Sequence, residues 1–315
     1  MLKRNMTIML LFTLILSLFA STGSAYGNAI DEQSNPLLDS KEVLNYLFWT
    51  KDDKLKADVA SLQSALGLSD QQITQLKDMG LKERDSARAL QLQAQSLTVD
   101  SYNAKADTLF QVRNAALQSL LQDKHIAFEE WVTKWWADEK EYRNTWLKTK
   151  YGANADVPRI SGIFATQYDP DISGSYEVAL PDKYIKFANK GWISNIPVQL
   201  RGTYGNPKYV VNVYNPNTVK SALGVEVKDV GPWNVDDNYW DTANGSNPRR
   251  FGSGLALGTP ASTAAYYNNW NNGKDAQGRK VLNPAGIDLS PGVASTLGLA
   301  TNENAWVDVR YEYLP

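Results

Sequence analysis

The sequence predicts an α+β protein in two parts: an all-helical N-terminal domain over 37–151 and a β-rich domain over 159–315. Three observations carry that prediction. Between Leu37 and Tyr151 there is no proline, and the only glycines are Gly67 and Gly80. From Gly152 onward the chain holds 17 glycines and 12 prolines, residues that interrupt helices and suit turns between strands. The terminal segment 306–313 alternates with the period of a strand that has one buried face. This step in composition puts the domain boundary near residues 152–159.

The first residues read as an address. Lys3 and Arg4 precede the apolar run 8–20, and the small residues 21–25 follow, which is the order of a secretory signal peptide. The run is shorter than the roughly 20 apolar residues that a membrane helix needs. Cleavage is expected after Ala25, giving a leader over 1–25, with Ala29 as the second choice and an uncleaved signal anchor as the rival reading. No cysteine is present to carry a lipid. The mature chain is therefore expected to be secreted or cell-wall associated, with no stable membrane anchor.

The helical part follows in four segments. Asp39 or Ser40 is placed to cap a helix carrying Val43, Leu44, Leu47 and Phe48. Ser69 and Gln72 stand at capping-box spacing before Ile73, Leu76 and Met79. Asp100 opens a helix with Leu109, Val112, Ala116, Leu117 and Leu120. The last carries Phe128, Trp131, Trp135, Tyr142 and Trp146, spaced to lie near one helical face. An antiparallel bundle or long hairpin accommodates these segments. The aromatic stripe admits two readings: packing against other helices or the second domain, or a stacking platform for sugar rings.

In the second half, segments 175–180, 184–187, 197–200, 209–214, 225–230 and 306–313 read as short strands between turn residues. Many short strands argue a closed barrel or a sandwich, and pattern alone does not choose between them.

Composition excludes much chemistry. With no cysteine there is no disulfide framework, thiolate nucleophile or zinc finger, and the single His125 rules out a multi-histidine metal site. The net charge of −2 offers no footprint for nucleic acid. Asp275, within 273–278, lacks the alternating oxygen ligands of a calcium loop. No metal and no cofactor are expected.

Two motifs narrow the β-rich half. The first is Val225-Glu226-Val227-Lys228-Asp229-Val230-Gly231-Pro232-Trp233, and the second is Gly286-Ile287-Asp288-Leu289-Ser290-Pro291-Gly292. In this order they resemble the double-psi β-barrel of rare lipoprotein A and the bacterial expansins. Gly162-Ile163-Phe164-Ala165-Thr166-Gln167-Tyr168 looks like that family's opening strand, and 306–313 falls where its last strand stands. The resemblance covers about half of the chain and implies a six-stranded double-psi barrel. It departs from the family in the long interval between Asp229 and Asp288, read as an insertion over 234–284. That insertion would carry Trp240, Arg249, Arg250, Tyr266, Tyr267 and Trp270 beside a groove. The additional acidic residue that the transglycosylases use also has no clear counterpart.

The resemblance implies a cell-wall polysaccharide, peptidoglycan above all, as the partner. Glycan cleavage needs a proton for the leaving oxygen and stabilisation of charge at the anomeric carbon, and carboxyl groups supply both. Asp288 is the expected acid/base, its carboxyl raised by desolvation between Ile287 and Leu289. Asp229 is its expected companion. Thr166, Tyr168 and Trp233 are expected to bind substrate, with Trp233 available for stacking. Each aspartate also has a plain structural reading: Asp229 as a turn former before Gly-Pro, and Asp288 as the cap of a short helix. The enzymatic expectation is a lytic transglycosylase or a glycoside hydrolase-like activity. Its alternatives are a non-catalytic, expansin-like wall-loosening module, or an interaction protein that engages a partner through its helices.

Overall fold

A computed structural model describes residues 35–152, 159–170, 174–189, 209–241 and 248–311. The leader read over 1–25, the link at 153–158 and the strand expected at 197–200 lie outside the described residues.

The helical half contains α1 (Val43–Trp49), α2 (Asp53–Leu66), α3 (Asp70–Gln93), α4 (Val99–Leu121) and α5 (His125–Gly152). Ser69 caps α3 in a complete capping box: its hydroxyl accepts from the Gln72 amide, and Gln72 Oε1 accepts from the Ser69 amide. Two expected caps are corrected. Helix α1 starts after Glu42, with no side-chain cap, because 36–40 form a turn of their own. Helix α4 starts after Thr98, whose hydroxyl accepts from the Ser101 amide, two residues ahead of the expected Asp100. At Gly80, α3 crosses α1 so closely that a Cβ would stand 2.9 Å from the Leu44 carbonyl. Among the described residues no helix is long and apolar enough to cross a membrane.

The β-rich half is a closed, six-stranded mixed barrel of β2 (Arg159–Gln167), β3 (Glu177–Leu180), β4 (Val210–Asn215), β5 (Lys220–Val230), β6 (Ile287–Leu289) and β7 (Asn304–Tyr311). The strands run in the order β7-β2-β6-β3-β5-β4, and β4 returns to β7 to close the ring. Pairs β2–β6 and β3–β5 are parallel, and the remaining barrel pairs are antiparallel. Ala165, Val178, Val227, Leu289 and Val307 are almost wholly buried and fill the interior. Among the described residues this half also carries the helices α6 (Lys183–Asn189), α7 (Ala261–Asn268) and α8 (Pro291–Thr296).

The strand expected at 184–187 is corrected to helix α6. Asp182 accepts from the Tyr184 amide at 2.9 Å, and Ile185, Ala188 and Asn189 bury one helical face. The β-rich appearance of Tyr-Ile-Lys-Phe loses to this local start signal.

The halves share one hydrophobic core. A two-residue strand β1 (Thr50–Lys51), directly after α1, pairs in parallel with Asn304 and Ala305 of β7. On the outer face of the barrel, Phe164 stacks on Tyr46 of α1, and Trp306 meets Trp146 of α5 edge-on. Trp135 and Trp136 of α5 close on Tyr46, Tyr266 and Tyr267. The aromatic stripe is thus mainly packing, although Tyr142 remains 43% exposed. The insertion does the same work. Tyr266 and Tyr267 of α7 are buried in the seam between the halves, Trp240 stacks on Tyr311, and Arg249 pairs with the buried Asp237.

Candidate functional site

Four residues from four neighbouring strands form a row across the barrel wall. Thr166 of β2 is in register with Asp288 of β6, Asp288 with Ala179 of β3, and Ala179 with Asp229 of β5. Lateral neighbours in a sheet point to one face. The residues next to them in sequence, Ala165, Leu289 and Val178, fill the barrel interior, so this row faces outward. At about 4.8 Å per strand spacing, the Asp288 and Asp229 backbones stand about 10 Å apart, with only the Ala179 methyl between them.

A bulge places Asp229 in the row. Val178 stands opposite Val227, yet Ala179 stands opposite Asp229, which leaves Lys228 as the extra residue of β5. Beyond the bulge the chain turns through Gly231, whose φ of 142° excludes most side chains and whose Cβ position lies 4.0 Å from Asp288 Oδ2.

The two carboxylates have different surroundings. Asp288 keeps part of its surface open, but its carboxyl is deeply desolvated. Burial pushes its pKa up to about 6, against the Thr166 hydroxyl, which donates to Oδ1 and favours the charged form. The charges of Arg88 and Arg84 also pull it down, and that of Asp229 pushes it up. Asp229 is half exposed and already engaged: Lys186 Nζ lies 2.9 Å from Oδ1, and the Val230 amide donates to the same oxygen at 2.8 Å. The expected upward shift of Asp288 is therefore present, but Ile287 and Leu289 alternate to the opposite, interior face and are not its cause. Asp229 keeps both its ion pair and the local bond of a turn former.

A second row follows immediately. The Tyr168 hydroxyl donates to Glu177 Oε1 at 2.8 Å, and burial followed by that carboxylate pushes the phenol pKa up. Glu177, on β3, is itself buried, with Lys228 Nζ 3.7 Å from its other oxygen. Its carboxylate is a third acidic group beside Asp288 and Asp229. In the sequence it stands in Ser-Tyr-Glu-Val-Ala-Leu, where the strand alternation that places it on the face of Ala179 was the available signal.

Trp233 does not join these rows as a stacking surface. It is 7% exposed, and its indole N–H donates to Asn283 Oδ1 at 3.0 Å. Asn283 in turn donates to Glu42 Oε1 at 2.9 Å, so the expected sugar platform is a strut into the helical half. Its φ of 62°, unfavourable for a bulky residue, is held by these bonds and by Arg279, which donates to its carbonyl.

The helical half also reaches the site. Arg88 of α3 donates to the Gln167 carbonyl at 3.4 Å and pairs with Asp169 at 3.0 Å, both beside Tyr168. Nothing local in Arg84-Asp-Ser-Ala-Arg88 signals this, since its charges read as a solvated helical face. His125 stands at the start of α5, 3.9 Å from Glu129 of the same helix. Asp275 is spent within its own loop, accepting from the Gln277 and Arg279 amides and from the Arg279 side chain. Among the described residues no group of three His, Cys, Asp or Glu could hold a metal ion.

Two surface depressions lie elsewhere. One is lined by Asp138, Glu141, Tyr142, Thr145 and Trp146, and the other lies between α5 and α7. Neither includes the carboxylate row.

Residues 162–310 match a family described as a domain of unknown function (DUF8814), just under half of the chain. The matched stretch opens within β2 and closes within β7, so it coincides with the barrel and its insertion. No curated protein and no solved structure matches the chain.

Proposed function

We propose that this protein remodels cell-wall glycan, with peptidoglycan as the substrate, and that Asp288 is its general acid/base. The observation that carries the reading is the outward row Thr166–Asp288–Ala179–Asp229, in which one carboxyl is desolvated and the other solvated. An acid with a pKa near 6 is protonated often enough near neutral pH to donate to a glycosidic oxygen, and basic enough afterwards to recover the proton. Thr166 orients the carboxyl through its hydroxyl. Asp229 and Glu177 supply negative charge beside the position where positive charge would develop. A row on the outer wall of a barrel also suits a long chain lying across it.

In this reading the barrel is of the double-psi type, resembling rare lipoprotein A and the bacterial expansins. The parallel pairs β2–β6 and β3–β5 within a closed six-stranded ring support that topology. Export through the leader at 1–25 brings the chain to the wall, where it acts secreted or wall-associated.

One observation favours a second reading, a non-catalytic module that binds glycan and loosens its packing. The engagement of Asp229 with Lys186 leaves Asp288 as the one desolvated acid of the row. A lytic transglycosylase remains compatible with that, because an acetylmuramoyl sugar can cyclise internally with a single acid/base.

Mass spectrometry of the supernatant after incubating the mature protein with peptidoglycan, beside Asp288→Asn, separates the readings. Soluble fragments with anhydro ends from the unmodified protein alone are expected. Sedimentation of both proteins with the wall and no fragments would leave the binding module. Neither fragments nor sedimentation would remove peptidoglycan as the substrate.

A further inference from the structure

Arg84 and Arg88 stand one helical turn apart on α3 and reach the seam where the helical half meets the end of β2. Their side chains are only 13% and 20% exposed. Both are paired with exposed surface groups: Arg84 with Asp85, 57% exposed, and Arg88 with Asp169, 76% exposed. Burial and the charge of Arg88 both push Arg84 below its usual range. Glu42, the buried carboxyl that also acts on Arg84, offers little relief. Burial, followed by Glu83, pushes it up to about 8, so it is mostly neutral at pH 7.

Two guanidinium groups, partly desolvated and mutually repelling, are thus balanced chiefly by exposed carboxylates. Exposed ion pairs contribute little to stability and exchange readily for another anion. A guanidinium accepts a carboxylate through two parallel hydrogen bonds, a geometry that an ammonium lacks. Arg88 acts electrostatically on Asp288 and pairs with Asp169, the residue after Tyr168, so an anion held there would lie beside the carboxylate row.

We propose that Arg88, supported by Arg84, selects the ligand: from the helical half it binds a carboxylate carried by a saccharide lying across Asp288 and Asp229, displacing Asp169. This rests on the glycan reading and adds to it the substrate class, an acidic saccharide. The helical half is then part of the binding site rather than an appended partner module. Two sources would supply the carboxylate, the lactyl ether of a muramic acid or the C6 acid of a uronic sugar.

Equilibrium binding of three tetrasaccharides tests this: neutral N-acetylglucosamine, alternating N-acetylglucosamine and N-acetylmuramic acid with free lactyl groups, and galacturonic acid. The expected result for the unmodified protein is a preference of about tenfold or more for an acidic tetramer over the neutral one. Whichever acidic tetramer binds better identifies the source. In Arg88→Gln the ratio should fall towards one, and Arg88→Lys should keep part of it. Asp169→Asn removes the competing carboxylate without touching α3, and should raise the ratio. Equal affinity of the unmodified protein for all three would overturn this inference and leave the glycan reading standing. An unchanged ratio in both Arg88→Gln and Asp169→Asn would overturn it as well. Failure of all three to bind would overturn both.

Discussion

The outer wall of the barrel is used in two ways within a few residues. At Phe164 and Trp306 the helical half covers it, and two aromatic residues occupy positions that a free barrel would give to polar ones. At Thr166 and Asp288, one alternation further along, the cover thins and the same face carries a hydroxyl and a carboxyl. Strand alternation sets which residues point outward, but packing from another part of the chain decides what outward means. The helical half thus both stabilises the barrel and, through Arg84 and Arg88, contributes to the electrostatic surroundings of the carboxylate row.

The largest expected effect lies in the covered region and depends on pH. Glu42 is 1% exposed and its carboxyl is raised from 4.5 to about 8. A raised acid binds more protons folded than unfolded, so its contribution is present below pH 4.5 and is lost as pH rises towards 8. The loss amounts to about 5 kcal/mol at most. Glu83 and Arg113 face this group from α3 and α4, Arg84 from α3 and Asn283 from the insertion. In denaturant titrations between pH 5 and 8, Glu42→Gln should flatten the decline; an unchanged slope would remove Glu42 as its source.

Trp306→Ala comes next. It removes an indole that is 2% exposed and packed against Phe164, Trp146 and the Arg143 guanidinium. Loss of about 4 kcal/mol in chemical denaturation is expected. Loss below about 1 kcal/mol would mean that the seam does not hold the halves together.

The smallest effect on stability is expected at the half-exposed end of the row, Asp229. Asp229→Asn weakens a half-exposed pair with Lys186 and should cost less than about 1 kcal/mol. If the proposed glycan activity holds, it should still alter binding or cleavage, and a variant indistinguishable from the unmodified protein in both would reduce Asp229 to a turn former.

The division into halves was readable because 37–151 holds no proline and only two glycines, Gly67 and Gly80, and the Ser69–Gln72 capping box was readable because its chemistry is local. Helix α2 was also within reach, since Asp52 caps it through the Leu55 amide and Leu55 and Leu62 are spaced for one buried face. Thr166 and Asp288 emerged as candidates through motif resemblance, and the structure brings them into contact. The rest was hidden for a common reason. The bulge at Lys228, the burial of Trp233 and the approach of Arg88 all depend on contacts between residues far apart in the chain. Local propensity carries no record of them.

The central claim is that the row Thr166–Asp288–Ala179–Asp229 holds one carboxyl poised near neutrality. The direct measurement is a carbon-13 NMR titration of the aspartate side-chain carboxyls, with Asp288→Asn used to assign the Asp288 signal. Thr166, Arg84, Arg88 and Asp229 act on that carboxyl, and Tyr168 with Glu177 and Lys186 complete the surroundings. The account predicts a midpoint of about 6 for Asp288, raised further in Arg88→Gln. A midpoint near 3.8, the ordinary aspartate value, would contradict it and leave Asp288 as a structural partner of Thr166 in the barrel wall; the helix cap that its sequence context also suggested is excluded, because the short helix begins after Ser290 with no side-chain cap.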